Sequence, residues 1–120
     1  MELIPDAHCH LDDIDDPIGA VHAARDAGVG PLLVIGMDIA SSRRTLELAP
    51  QLQGLIYTGV GIHPSYVPEW DDARLEAEFE FVRDTLPLVD CLGEVGLDYK
   101  DAVAPEQRAR QQAILDRQLA

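Results

Sequence analysis

Near the N-terminus, Asp6-Ala7-His8-Cys9-His10 sets two imidazoles two residues apart. The stretch from Leu3 to about His10 reads as a β-strand, and side chains on a strand alternate between its faces. Asp6, His8 and His10 are therefore expected on one face, with Ala7, Cys9 and Leu11 on the other. Two neighbouring imidazoles at a strand end suit a divalent metal ion. Asp6 has two readings: it accepts an imidazole N–H and fixes a ligand's tautomer, or it accepts a bond from loop backbone. Two groups downstream can also do chemistry. His63, in Gly61-Ile62-His63-Pro64, is a loop cap on a structural reading and a phosphate binder or proton donor on a functional one. Glu94, in Gly93-Glu94-Val95-Gly96, is costly to bury as a charge unless it is paired or metal-bound. That favours a ligand role, with the carboxylate able to bridge two hard cations as in phosphodiester hydrolysis.

The elements around these residues explain how they come together. Asp16 caps a first helix, Pro17 to Ala27, and Gly28 ends it. Strand two, Pro31 to Gly36, carries Leu32-Leu33-Val34-Ile35, a run expected to be buried on both faces of a parallel sheet. Ser41 or Ser42 is expected to cap helix two, with Pro50 an irregularity near its end. Strand three is Leu55 to Val60. Pro68 to Asp72 turns into helix three, which runs to about Leu86 before Pro87. Strand four is Leu88 to Leu92, and Pro105 opens a last helix, Glu106 to Ala120. Strand then helix, four times over, predicts an α/β fold with a parallel sheet and right-handed crossovers. His8, His10, His63 and Glu94 then share the carboxyl edge of the sheet, where parallel α/β folds gather their active sites. His22, within helix one, is assigned no role. The acidic run Asp12 to Asp16 reads as a solvated loop plus a cap. Gly28-Val29-Gly30 follows a helix, the reverse of the order a phosphate loop needs.

The net charge of −13 excludes the broad basic face of an extended nucleic-acid footprint. It leaves room for a nucleic-acid substrate held through a few metal-bound phosphates. Cys9 and Cys91 do not form a disulfide framework and are expected to behave as small buried hydrophobes. No apolar run approaches the roughly 20 residues of a membrane span, and no signal-peptide pattern opens the chain, so a cytoplasmic location is expected.

Asp6-Ala7-His8-Cys9-His10-Leu11, Gly61-Ile62-His63-Pro64 and Gly93-Glu94-Val95-Gly96-Leu97-Asp98-Tyr99 together resemble the ordered signatures of the TatD-type metal-dependent deoxyribonucleases. The third motif is the most specific, since the His-x-His of strand one is shared with the wider amidohydrolase superfamily. The resemblance implies a TIM-barrel (β/α)8 fold with one or two divalent metals at its mouth, magnesium first, with manganese or zinc as alternatives. It implies that His8 and His10 ligate one metal and that Glu94 ligates or bridges. His63 would bind the scissile phosphate or assist proton transfer, which makes His63 and Glu94 the catalytic candidates. The implied reaction is hydrolysis of DNA phosphodiesters, often from the ends of single strands.

Eight βα units need about 250 residues, and this chain has four. Residues 1–120 are therefore expected to be one domain, the N-terminal half of such a barrel. The two histidines and the aspartate that the family adds from later strands have no counterpart here. Three readings are open: a fragment, a half that pairs with another chain, or a stand-alone half with altered packing. A lone half leaves an apolar sheet face and two edges bare. Self-association, most simply as a two-fold dimer, is expected, with weak or no nuclease activity. Two functions compete with the nuclease. One is a C–N amidohydrolase, but many of those carry a modified lysine where this chain has Glu94, and Lys100 lies too far along. The other is a non-catalytic scaffold that keeps relic residues.

Overall fold

A computed structural model describes residues 2–120. Four strands, β1 (Ile4–Cys9), β2 (Val29–Ile35), β3 (Ile56–Val60) and β4 (Cys91–Leu92), alternate with four helices, α1 (Pro17–Asp26), α2 (Ile39–Leu48), α3 (Asp72–Thr85) and α4 (Pro105–Leu119). The sheet order is β1-β2-β3-β4 and every pairing is parallel. This is the expected architecture, four βα units of the TIM-barrel kind curled into half a barrel. Among the described residues no helix is long and apolar enough to cross a membrane.

The helix-covered side of the sheet is built from two apolar clusters. Leu11, Val21, Leu32, Val34, Leu52 and Ile56 fill the first; Val60, Ile62, Val67, Leu75, Phe79, Val82 and Ile114 fill the second. The other side is less covered than expected. Leu33 is only half-buried, and Tyr57, its partner in the ladder, is 52% exposed. The apolar run of β2 therefore has one well-packed face and one open one.

Local chemistry moves several boundaries. Asp38, not Ser41 or Ser42, caps α2: its carboxylate accepts the Ser41 N–H at 2.8 Å, and the Ser41 hydroxyl accepts the Asp38 N–H in return. This is a capping box with serine in the third helical position. The residues expected to open β4 form instead a short turn at Leu86–Leu88, closed by the Val89 N–H on the Leu86 carbonyl. Pro87 has no N–H to give a ladder, and the first bond to β3 is from the Asp90 N–H to the Thr58 carbonyl, just before the paired residues Cys91 and Leu92. Asp12 is not solvated either. Its side chain is 2% exposed and lies 3.3 Å from the Arg44 guanidinium. Asp16 does cap α1, accepting from the Gly19 N–H, and Gly28 ends it with φ at +89°.

The strict alternation expected of β1 is also broken. From Asp6 to Cys9 the chain advances three residues while its partners, Leu32 and Val34, advance two. Asp6 turns its carboxylate onto the His8 backbone N–H at 3.0 Å. Of its two readings, the backbone acceptor is the one found.

One buried charge fastens the helix layer. Glu78, on α3, is fully buried; it accepts the Ile39 N–H at the start of α2 at 2.8 Å and pairs with Arg74 at 2.6 Å. Burial pushes its carboxyl up from an ordinary value near 4.5, opposed by Arg74 and the Ile39 N–H. The folded protein therefore holds this proton more tightly than the unfolded chain. The group's contribution to stability falls as pH rises from about 4.5 through the raised value. Glu78→Gln is expected to flatten that part of the curve of Tm against pH. Glu78→Leu, which strands the Ile39 N–H, is expected to cost about 1–3 kcal/mol. Thermal melts across pH check both, and an unchanged slope in Glu78→Gln would contradict the account.

Candidate metal centre

β1 and β4 are the two edges of the sheet. Three strand spacings would hold them about 14 Å apart if the sheet were flat. Their carboxyl ends nevertheless meet. His8 Nε2 and His10 Nε2 lie 3.3 and 3.4 Å from Glu94 Oε2, and 3.2 Å from each other. The curl is locked at the mouth by backbone bonds: the Glu94 N–H reaches past β3 to the Gly36 carbonyl, and the His63 N–H donates to the Met37 carbonyl. Gly61 allows the closest approach. A Cβ there would stand 2.6 Å from the Glu94 carbonyl oxygen and 2.8 Å from the Gly93 carbonyl carbon.

The protons on the rings follow from their partners. His10 Nδ1 is 2.8 Å from the Ile35 carbonyl, which can only accept, so Nδ1 carries the hydrogen and Nε2 offers its lone pair to the site. His63 is the reverse. Its Nδ1 accepts the Ser65 N–H at 3.1 Å and stands 2.7 Å from the Ser65 hydroxyl, so Nε2 carries the hydrogen. That N–H donates to Glu94 Oε1 at 2.9 Å. The structural reading of His63 is the one observed: one nitrogen caps the Pro64–Tyr66 turn, while the other faces Glu94.

His8, His10 and Glu94 together could hold an ion. Their three ligand atoms form a nearly equilateral triangle with sides of 3.2–3.4 Å. A tetrahedral ion with bonds of about 2.0–2.1 Å spaces its ligands about 3.3 Å apart, so the donor set fits. Glu94 presents one oxygen to that triangle and the other to His63, and its side chain remains 24% exposed. Cys9, between the two histidines, is no competitor: burial and then Asp6 push its thiol up to about 11, which keeps it protonated.

Around the centre, Tyr66 lies 5.7 Å from His63 and stacks on Trp70 at 4.8 Å, and Arg74 covers the far face of the stack. Burial, then Asp38, Asp12, Asp13 and Glu94, push the Tyr66 hydroxyl up, so it stays a donor. Neither Ser65 nor Tyr66 stands out in the sequence; the one available signal was a hydroxyl two residues beyond His63. His22 is exposed on α1, and Lys100 is exposed in the loop after Glu94, with its N–H bonded to Asp98.

Comparison with known proteins decides the family. The profile of the TatD related DNase family matches residues 5–120. The chain belongs to that family. It is 34% identical over 118 residues to the uncharacterized metal-dependent hydrolase YjjV of Escherichia coli K12, a match covering 95% of this chain and 44% of YjjV. It is also 34% identical over 99 residues to the 3'-5' ssDNA/RNA exonuclease TatD of the same organism, covering 82% of this chain and 36% of TatD. The crystal structure of E. coli YjjV superposes with a TM-score of 0.74 at 29% identity, over 97% of this chain and 45% of that one. The TatD-family chain thus spans less than half the length of the relatives it matches.

Gly61→Ala is expected to push the Glu94 peptide away, because the crowding atoms are backbone and cannot rotate aside. The overpacking should cost about 1–3 kcal/mol and weaken metal binding, read by thermal melts and a zinc titration. A variant that melts and binds like the native protein would contradict this placement.

Proposed function

We propose that this chain supplies one wall of a metal-dependent phosphodiesterase that trims single-stranded DNA or RNA from a 3' end. The observation that carries the reading is a pair of opposite tautomers about one carboxylate: His10 aims a lone pair into the His8–His10–Glu94 triangle, and His63 donates a proton to the other Glu94 oxygen. His8, His10 and Glu94 Oε2 would hold the ion. A bound divalent ion would supply Lewis-acid activation of water and phosphate. His63 Nε2–H, fixed by Ser65, would donate a hydrogen bond to a phosphate oxygen and stabilise the charge that develops there. The exonuclease activity carried in the name of the TatD relative supports the substrate class.

Two imidazoles in the donor set favour zinc or manganese over magnesium, which prefers an all-oxygen shell. The reading makes residues 1–120 the N-terminal half of a (β/α)8 barrel. Further strands would cover the open face at Leu33 and Tyr57, in place of a two-fold dimer. The fraction of its relatives that the chain spans supports this. The proposal also assigns the protein to the cytoplasm, where thiols such as Cys9 and Cys91 stay reduced.

The test uses the intact protein and 3'-end single-stranded oligonucleotides, with and without chelator. Degradation is expected to stop on chelation and to fall about 10²–10³-fold in His63→Ala, while His22→Ala leaves it unchanged. Degradation that survives both chelation and Glu94→Ala would overturn the proposal.

A further inference from the structure

α4 carries no candidate ligand, yet its polar side chains serve the loops that do. Gln118 Oε1 accepts the Ile62 N–H at 2.7 Å. Arg110 donates to the Val67 and Trp70 carbonyls at 3.2 and 2.8 Å. Gln111 lies between them and is only 1% exposed. Its Oε1 accepts the Asp98 N–H at 2.9 Å, and its Nε2 donates to the Pro64 carbonyl and the Asp98 carbonyl, each at 2.9 Å. One amide thus spends both donors and its acceptor on two separate segments. Pro64 follows His63 directly, and Asp98 lies four residues beyond Glu94.

We propose that Gln111 is the positioning residue of the His63–Glu94 pair. An amide that only satisfied α4 or one loop would need partners on one segment. This one staples the His63 turn to the segment that follows Glu94, next to the 2.9 Å contact between them. Without it, the Asp98 N–H would be left unpaired, and the Pro64 and Asp98 carbonyls would keep only the Val67 and Ala102 N–H groups of their own segments, so that no bond would join the two segments here. An unpaired N–H in a buried place costs enough that the loops would part to reach water. The His63 N–H would then lose Glu94 Oε1. The inference deepens the functional reading above by naming what keeps its proton donor in place.

The test reads the His63 imidazole by ¹H–¹⁵N NMR in metal-free intact protein, the Nε2–H signal being assigned by its loss in His63→Gln. Because no metal or substrate enters, a failure of the proposed activity leaves this result readable. Gln111→Met keeps the length of the side chain and removes its hydrogen bonds. It is expected to lose the protected Nε2–H signal while retaining the native circular dichroism. Gln112→Ala, an exposed neighbour, is expected to keep the signal. Gln111→Glu, which faces an oxygen to the Pro64 carbonyl, serves if the methionine variant does not fold, with the same loss expected. A folded variant of either kind with the native signal overturns the proposal. The native protein gives a second reading. The Asp98 amide on Gln111 and the Ser65 amide on His63 should exchange through one shared opening, with equal protection. Protection differing by more than roughly tenfold overturns it as well.

Discussion

A carboxylate ringed by three imidazoles is the constraint on which the structure turns. Glu94 sits at the end of one edge strand, and two of its partners sit at the end of the other. Partly burying that charge is expensive unless opposite charge, hydrogen bonds or a metal compensate it. His63 supplies a hydrogen bond from the neighbouring strand; the histidines of β1 can add to it, by sharing an ion with Oε2, only because the sheet curls until its edges meet. The Gly61 approach, the Glu94-to-Gly36 bond and the His63-to-Met37 bond are the local means by which it does. Behind them, Glu78 ties α3 to the start of α2, just after the Met37-Asp38 loop that receives the His63 N–H.

The same carboxylate divides two tasks between its oxygens. Oε2 faces the His8–His10 side and Oε1 faces the proton of His63. Backbone groups make the distinction: a carbonyl orders His10 and an amide orders His63. Neither ring can exchange roles without breaking its other bond, so the polarity of the site is built into the fold.

Much of this was legible in the sequence because it depends on short-range patterns. The His8/His10 spacing, the glycines around Glu94 and the strand–helix alternation carried the fold and gathered all four site candidates at one edge. What was not legible depends on partners far along the chain. Ser41 looks like a cap until Asp38 is seen to accept from it. Leu88 and Val89 look like strand until the Leu86–Leu88 turn takes the Val89 N–H, leaving Asp90 to make the first bond to β3. Asp12 looks solvated because its partner, Arg44, is 32 residues away. Gln111 looks like an ordinary helix residue because its partners are the backbone groups of two loops, at Pro64 and Asp98. The β1 irregularity at Asp6 breaks a period that the sequence presents as regular, while leaving His8 and His10 together.

The central claim is that His8, His10 and Glu94 form one metal-binding centre across the mouth of the sheet. A calorimetric titration of the protein with zinc and with manganese, repeated for His10→Ala, tests it most directly. The account predicts saturable binding in the native protein and its loss in the variant, with the thermal melt of the apo protein little changed. Equal affinity in both would contradict it.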